Sequence, residues 1–259
     1  MLQVQLNDFS FVIVYMCIFA RFFTILFQVP IFSQTEIPIQ VKILFTFIVS
    51  YVLYPHLSSQ IRDDLSFIGY HNHFLLFFYY TITGLMLGLF IKIIIDITTS
   101  AGNIMAQTIG LGSIKLFDPT FATQTGPIER LLYNFLIFSI LSSGMMNPIF
   151  QGIYNSFSSF SLMKLNTNFY DYNIYLFFLK KIISSTFLVS LPIASLNIIT
   201  NIVLGIMSRL IPQLNVLMLS FSINIIMGLI LLFIYNNEII YFIHQFYIEM
   251  IGYWYLMVS

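Results

Sequence analysis

The chain has 259 residues, of which 59% are hydrophobic, 18% aromatic and only 8% charged, where an ordinary soluble domain carries about 25% charged residues. This excludes a soluble globular protein. Ten basic and ten acidic residues cancel to a formal net charge of zero, and such sparse, scattered cations cannot form the clustered basic face that nucleic-acid binding needs. The single cysteine, Cys17, lies in an apolar run, where it is expected to pack rather than to form a disulfide.

The first apolar run, residues 9–30, is divided by Arg21. A central arginine in a membrane helix costs about 2.5–3.5 kcal/mol on insertion scales, so Arg21 requires a partner or a watery surface. It is either a polar contact in an assembly or conduit, or an arginine snorkelling from a helix that sits off-centre. The first eight residues contain Asp8 and no Lys or Arg, so no cleavable signal peptide is expected and the first helix stays in the mature protein. The next run, residues 43–55, is short for a crossing, which implies that something other than lipid covers these helices. His56 follows Pro55 at a segment end; Arg62, Asp63, Asp64, His71 and His73 read as a solvated loop, since a metal would need further ligands at suitable spacing. Residues 74–91 form the first long charge-free run. Lys92 and Asp96 then share a helix face four residues apart, as a structural pair in preference to an ion relay.

Residues 101–128 are small, polar and glycine-rich. Gly110 and Gly112 permit backbone angles closed to other residues, and Phe117-Asp118-Pro119 reads as a turn. Interleaved Leu111, Ile114, Leu116, Phe117 and Phe121 predict a packed functional loop. Residues 131–163, 182–208 and 210–237 are again free of charge, each long enough for about 30 Å of hydrocarbon at roughly 20 helical residues. Between the last two, Arg209 meets a helix C-terminal pole, Pro212 stops continuation, and Gln213 with Asn215 can bond the exposed backbone, which predicts a helical hairpin. The final run, 239–258, carries Tyr241, Tyr247, Tyr253, Trp254 and Tyr255 as interfacial aromatics are often placed; it spans, lies along the interface, or docks on a partner. Prolines in or beside apolar runs free backbone groups that only protein or a water-filled cavity satisfies at membrane depth. The resulting fold class is all-α, a polytopic helical membrane protein of broken helices and helical hairpins. Thinly spread Lys and Arg leave sidedness open. The four histidines and the acids form no convergent catalytic or metal-binding set, so neither an enzyme nor a cofactor is expected.

Three sets of landmarks then coincide. Arg21 is followed by Pro30, Pro38, Lys42 and Pro55; residues 110–119 run Gly-Leu-Gly-Ser-Ile-Lys-Leu-Phe-Asp-Pro; and Leu191-Pro192, Gly205, Arg209, Pro212-Gln213-Leu214-Asn215 and Gly228-Leu229 come after them in order. This pattern resembles the FliR family, the flagellar biosynthetic proteins whose injectisome counterparts are the T-type export-apparatus proteins of type III secretion. In that pattern Pro55 closes the second helix. The chain departs from it at Ser220, Ser222 and Asn224, where the family commonly has glycine, proline and lysine, and at Gly144-Met145, where it often has Gly-His.

The resemblance implies a non-enzymatic subunit present once in a spiral export-gate complex with several copies of the P and Q proteins (FliP, FliQ) and with the B protein (FlhB) nearby. It implies a bacterial inner-membrane, multi-pass protein of the flagellar basal body, contacting lipid and exported unfolded proteins. It further implies a P-like portion over about residues 1–170, with the central plug loop at 101–128, and a Q-like hairpin portion over about 171–259. By matching position, Gly110, Gly112, Leu116, Phe117, Asp118 and Pro119 are the candidate plug residues and Arg209, Pro212, Gln213 and Asn215 the hairpin turn; from their own chemistry, Arg21, Lys92 and Asp96 are the intramembrane polar set. The alternatives are an injectisome export subunit and a secondary transporter using Arg21, Lys92 and Asp96.

Overall fold

The computed structural model describes residues 2–29, 32, 37–69, 72–111, 126–162, 172–211 and 215–258. Among these the chain is helical throughout, with no strand: α1 (Leu2–Leu26), α2 (Ile39–Ile68), α3 (His73–Ile109), α4 (Pro127–Ser142), α5 (Met146–Ser159), α6 (Tyr172–Leu210) and α7 (Val216–Val258). Four of them, α2, α3, α6 and α7, are long and apolar enough to cross a membrane. The helices form two compact units: one of Met1–Ile93, Gly144–Asp171 and Met250–Ser259, the other of Ile94–Ser143 and Tyr172–Glu249.

In the first unit α1 is wrapped by protein. Val14, Cys17, Ile18, Phe22 and Ile25 are all buried, whereas Phe11, Val12 and Met16 stay exposed, so the chain itself supplies the cover on the Arg21 side of this charged helix. Helix α2 begins directly after Pro38 and ends at Gly69, whose φ of 88° stops it and whose N–H bonds the Leu65 carbonyl. Pro55 lies inside α2 and does not close it, a correction to the sequence reading; His56, Arg62, Asp63 and Asp64 are therefore helical and not in a loop. An interior proline costs about 3 kcal/mol, whereas burying one leucine or isoleucine side chain returns about 1.5–3 kcal/mol. Beyond Pro55, Leu57, Ile61 and Leu65 are all fully buried along one stripe, which outweighs the loss.

Close approach of α1 and α3 depends on Gly84 and Gly88, one turn apart on α3. A Cβ on Gly84 would stand 2.2 Å from Thr24 Oγ1 and 2.9 Å from the Arg21 carbonyl oxygen; one on Gly88 would stand 3.1 Å from the Ile25 Cα. This small-xxx-small spacing lets helix backbones meet where lipid supplies no hydrophobic drive. Trp254, read as an interfacial aromatic, is instead fully buried. Its ring fills the space where a Cβ on Gly152 would lie 2.3 Å away, and its Nε1–H donates to the Leu87 carbonyl at 3.3 Å. The C-terminal end of the chain thus docks on its own first unit.

Residues 131–163, expected as one crossing, are two helices. Gly144 has a φ of 69°, which ends α4, and Pro148 falls in the first turn of α5, where its missing N–H is not needed. In the second unit α3 continues through Ala101–Ile109, so the first part of the stretch read as a loop is helical, and Pro127 already opens α4 after its N-cap Gly126. Helices α6 and α7, joined at residues 211–215, form the hairpin.

Gly84→Ala should lower the thermal midpoint of the detergent-solubilised chain, because overpacking of about 1–3 kcal/mol exceeds the roughly 1 kcal/mol gain in helix propensity. Gly205→Ala, where a Cβ meets nothing within 4 Å, should leave it unchanged or raise it. Equal midpoints for both variants would refute the close crossing.

Candidate functional site: a buried arginine network and the hairpin junction

Arg21 is 0% exposed, and so is Asp64; in a chain with so few charges this is the first place to look for function. The α1–α3 crossing brings the guanidinium to the C-terminal end of α5. Its Nη1 donates to the Ser156 carbonyl at 2.9 Å and its Nη2 to Thr83 Oγ1 at 2.7 Å and the Phe160 carbonyl at 3.3 Å. Ser156 lies in the last turn of α5 and Phe160 just beyond it. The Ser156 carbonyl already accepts the Phe160 N–H at 3.0 Å, and carbonyls at this helix end carry its negative pole, so a cation is favoured there.

The flat faces of the guanidinium are used as well. Its carbon lies 4.2 Å from the ring centroid of Tyr80 and 4.7 Å from that of Phe157. Tyr80 then carries the network to the acid: its hydroxyl donates to Asp64 Oδ2 at 2.7 Å, and Ser161 Oγ donates to Oδ1 at 2.6 Å. Asp64 also attracts Arg21 through space. Arginine keeps its proton in proteins, so the buried cation and anion offset one another across the tyrosine ring. Chemically this is a fixed, charge-balanced anchor of α1, α2, α3 and the α5 end.

Sequence reasoning singled out Arg21 but not Asp64, Tyr80, Thr83 or Ser161. One signal was present: Asp64 comes seven residues after Leu57, on the buried stripe of α2. Lys92 and Asp96 are both exposed on α3, and Lys92 takes no part in the Arg21 network. His244, without a partner near it in sequence, meets Ser139 Oγ through its Nδ1 across 105 residues. Among the described residues no group of three or more His, Cys, Asp or Glu is placed to hold a metal.

Of the candidate loop residues, Gly110 is described, with a φ of 97° just past the end of α3; Gly112, Leu116, Phe117, Asp118 and Pro119 lie outside the described residues. At the hairpin turn Pro212 and Gln213 also lie outside them. Arg209 is exposed in the last turn of α6, and Asn215 caps α7, its Oδ1 accepting the Met218 N–H at 3.4 Å. Asn224, at the position where the family resembled commonly has lysine, links the two arms. Its Oδ1 accepts from Thr200 Oγ1 at 2.7 Å and its Nδ2 donates to Asn201 Oδ1 at 3.4 Å.

The family described as bacterial export proteins, family 1, matches residues 12–250. The chain belongs to that family. Similar proteins include the flagellar biosynthetic protein FliR of Buchnera aphidicola subsp. Schizaphis graminum, 27% identical over 207 residues, covering 79% of this chain and 78% of the relative. FliR of Bacillus subtilis (strain 168) is 25% identical over 229 residues, or 87% and 85% of the two chains. The surface presentation of antigens protein SpaR of Shigella flexneri is 25% identical over 231 residues, or 89% and 88%. In this bacterial export protein the Arg21 network and the Asn224 bridge both fall within the matched region.

Arg21→Met leaves Asp64 as a buried charge without its counter-ion and should destabilise the solubilised export protein by about 3–5 kcal/mol. Arg21→Lys should restore only part, because a point cation cannot hold two carbonyls and a hydroxyl in one plane. Adding Asp64→Asn to Arg21→Met should recover stability relative to the sum of the single effects. Strict additivity in a double-mutant cycle would contradict the electrostatic link.

Proposed function

We propose that this chain is a non-enzymatic core subunit of the flagellar type III protein export gate, present once in a hetero-oligomer in the bacterial inner membrane, at the basal body. The similarity to FliR proteins over most of the chain supports the flagellar system. The observation that carries the reading of an obligate assembly is the surface of α6. It exposes apolar side chains from Leu176 through Ile183, Leu191, Ile199 and Ile206 to Leu210, which is 75% exposed. At 1.5 Å per residue this face is about 50 Å long, against a hydrocarbon core of about 30 Å. Even a tilt of about 40° lengthens the path through that core only to roughly 39 Å. Lipid covers part of the face, and helical partner proteins cover the rest.

On this reading the partners are the P and Q proteins, with the B protein nearby, and the chain forms part of the wall of a conduit for unfolded subunits. The P-like portion extends to about residue 170 and the Q-like hairpin comes after it. The loop after α3 closes the conduit at rest: Leu116 and Phe117 exclude water, Gly110 and Gly112 permit displacement, and Asp118-Pro119 sets the turn. The energy for transport comes from other components.

Native mass spectrometry of the tagged chain, coexpressed with the neighbouring membrane-protein genes and extracted in mild detergent, tests the assembly. One copy of this chain among several copies of two smaller helical proteins is the expected result; a stable monomer or homodimer defeats the reading. Deleting residues 110–121 should raise ion leakage through the assembled gate, and Phe117→Ala should do so before it abolishes export. Leakage and secretion both unchanged by the deletion would remove the plug assignment.

A further inference from the structure

Helix α2 reverses its sidedness at Pro55. Before it, Val41, Leu44, Ile48 and Val52 form the exposed stripe, and Lys42, Thr46 and Ser50 are buried. After it, the same stripe continues at helical spacing as exposed His56, Ser59, Arg62, Asp63 and Ser66, and the buried positions are Leu57, Ile61 and Leu65. The inward polar groups of the first half are satisfied within the unit. Lys42 Nζ lies 5.1 Å from the Phe27 ring centroid, Thr46 Oγ1 donates to the Lys42 carbonyl at 2.8 Å, and Ser50 Oγ donates to the Thr46 carbonyl at 2.7 Å. An apolar exterior over satisfied polar groups suits hydrocarbon; a charged exterior over an apolar stripe suits water.

Helix α1 changes at the same level. The Tyr15 hydroxyl donates to the Phe47 carbonyl at 2.9 Å, and the Phe11 and Tyr54 ring centroids lie 4.6 Å apart. The two helices therefore run antiparallel, with Phe11 near the level of Pro55. In sequence Gln3, Gln5, Asn7 and Asp8 precede Phe11, and exposed Val12 and Met16 follow it. Arg62 Nη2 reaches back to the Tyr54 hydroxyl at 3.1 Å, at the level where an amphipathic aromatic suits a membrane–water interface. Two helices thus agree on one boundary across the first unit.

Helix α3 does not follow it. Residues 69–72 alone separate α3 from α2, and the Tyr80–Asp64 bond ties their levels, so equal rises along antiparallel helices put the Pro55 level near Leu89. On the aqueous side of that level Phe74, Phe78, Ile82, Leu85 and Met86 are exposed, within a third of the helix circumference and opposite buried Leu76, Tyr80 and Leu87. On the other side Lys92 is exposed in line with them and has no ion-pair partner among the described residues. This face is apolar where its neighbours are wet and charged where they are dry, so neither lipid nor water suits it along its length. At about 200 Å² for a fully exposed large apolar side chain, these apolar residues and Leu89 leave roughly 600 Å² open, about what one side of the smallest stable protein–protein interfaces contributes.

We infer that the outer face of α3 from Phe74 to Lys92 is a docking surface for another protein subunit of the membrane complex, a helix that is apolar opposite Phe78 and Ile82 and offers a carboxylate opposite Lys92. Lipid meets α2 only before Pro55. Which subunit docks rests on the export-gate reading; the surface itself does not.

The first test uses the complex purified from cells and reconstituted in bilayers, in a Cys17→Ser background with a bimane fluorophore on one introduced cysteine at a time. Leu44→Cys should be quenched by lipid with brominated acyl chains, Ser59→Cys by iodide in the water, and Phe78→Cys and Ile82→Cys by neither. Quenching of the last two by brominated lipid as strongly as at Leu44, or by iodide as strongly as at Ser59, would overturn the docking surface. Loss of the contrast between Leu44 and Ser59 would overturn the boundary from which it follows.

A photo-reactive benzoylphenylalanine in place of Phe78, close in shape to the side chain it replaces, reads the occupant in intact cells. Cross-linked peptides identified by mass spectrometry should come from a different membrane subunit of the complex; adducts only with lipid, or only with a second copy of this chain, defeat the inference. Lys92→Glu should weaken the association at least about tenfold, as like charges brought together across an interface do, and Lys92→Arg should retain it. Equal recovery of complex from both variants would remove the carboxylate from the proposal. An adduct with a helical subunit of some other membrane complex would leave the surface standing and bring down the export-gate reading instead.

Discussion

A buried cation in a chain that is only 8% charged constrains everything around it. Arg21 can be held inside the protein only where several acceptors and an anion converge, and the fold supplies them from three other helices. The α5 end contributes two carbonyls, α3 a threonine hydroxyl and an aromatic face, and α2 the balancing carboxylate through Tyr80. Removing α5 from this arrangement would strand the guanidinium, and removing α2 would leave it without its counter-ion. Buried ion pairs are weak contributors to net stability but strong specifiers of which groups must meet. Here that specificity joins segments separated by as many as 139 residues.

The second constraint is the absence of side chains where helices cross. Gly84 and Gly88 admit α1, Gly152 admits the Trp254 indole, Gly102 brings α3 within reach of the Glu129 backbone, and Gly228 receives Ile109. Each notch matches a particular larger group, so glycine here encodes register. The Arg21 network depends directly on one of these notches, because a wider α1–α3 spacing would carry the guanidinium away from Thr83. Polar satisfaction and close packing are therefore the same requirement in the first unit.

These dependences explain which features were legible in the amino-acid order. Helix content, the charge-free runs after residue 74 and the hairpin at 209–215 derive from composition and punctuation, and Asn215 reads as a cap because its chemistry is local. Pro55 misled, since the local penalty is real but smaller than the burial gained by Leu57, Ile61 and Leu65. Asp64 was hidden among Arg62 and Asp63, where neighbouring polarity suggested solvent. Its place seven residues after Leu57 was the one local signal, and tertiary contact with Tyr80 and Ser161 is what confirms it as buried. Trp254 was misplaced for the same reason: aromatic clusters suit a membrane interface, and the Gly152 slot that receives the indole lies far away in sequence. Gly144 and Pro148 did carry a local break signal within residues 131–163, but the lack of charge masked it.

A different logic governs the outer faces. The first unit directs its polar groups into its own interior, whereas α6 and α7 leave long apolar surfaces open and keep a string of amides between them. Such a hairpin cannot be stable in water, and it is too long for lipid alone to cover. On the export-gate proposal its exposed face is the complement of neighbours, while its inner face is committed to the end of α3. On that reading one element meets the assembly on one side and the end of α3 on the other. Asn224 of α7 bonds both Thr200 and Asn201 of α6, so the two arms are tied together at one residue.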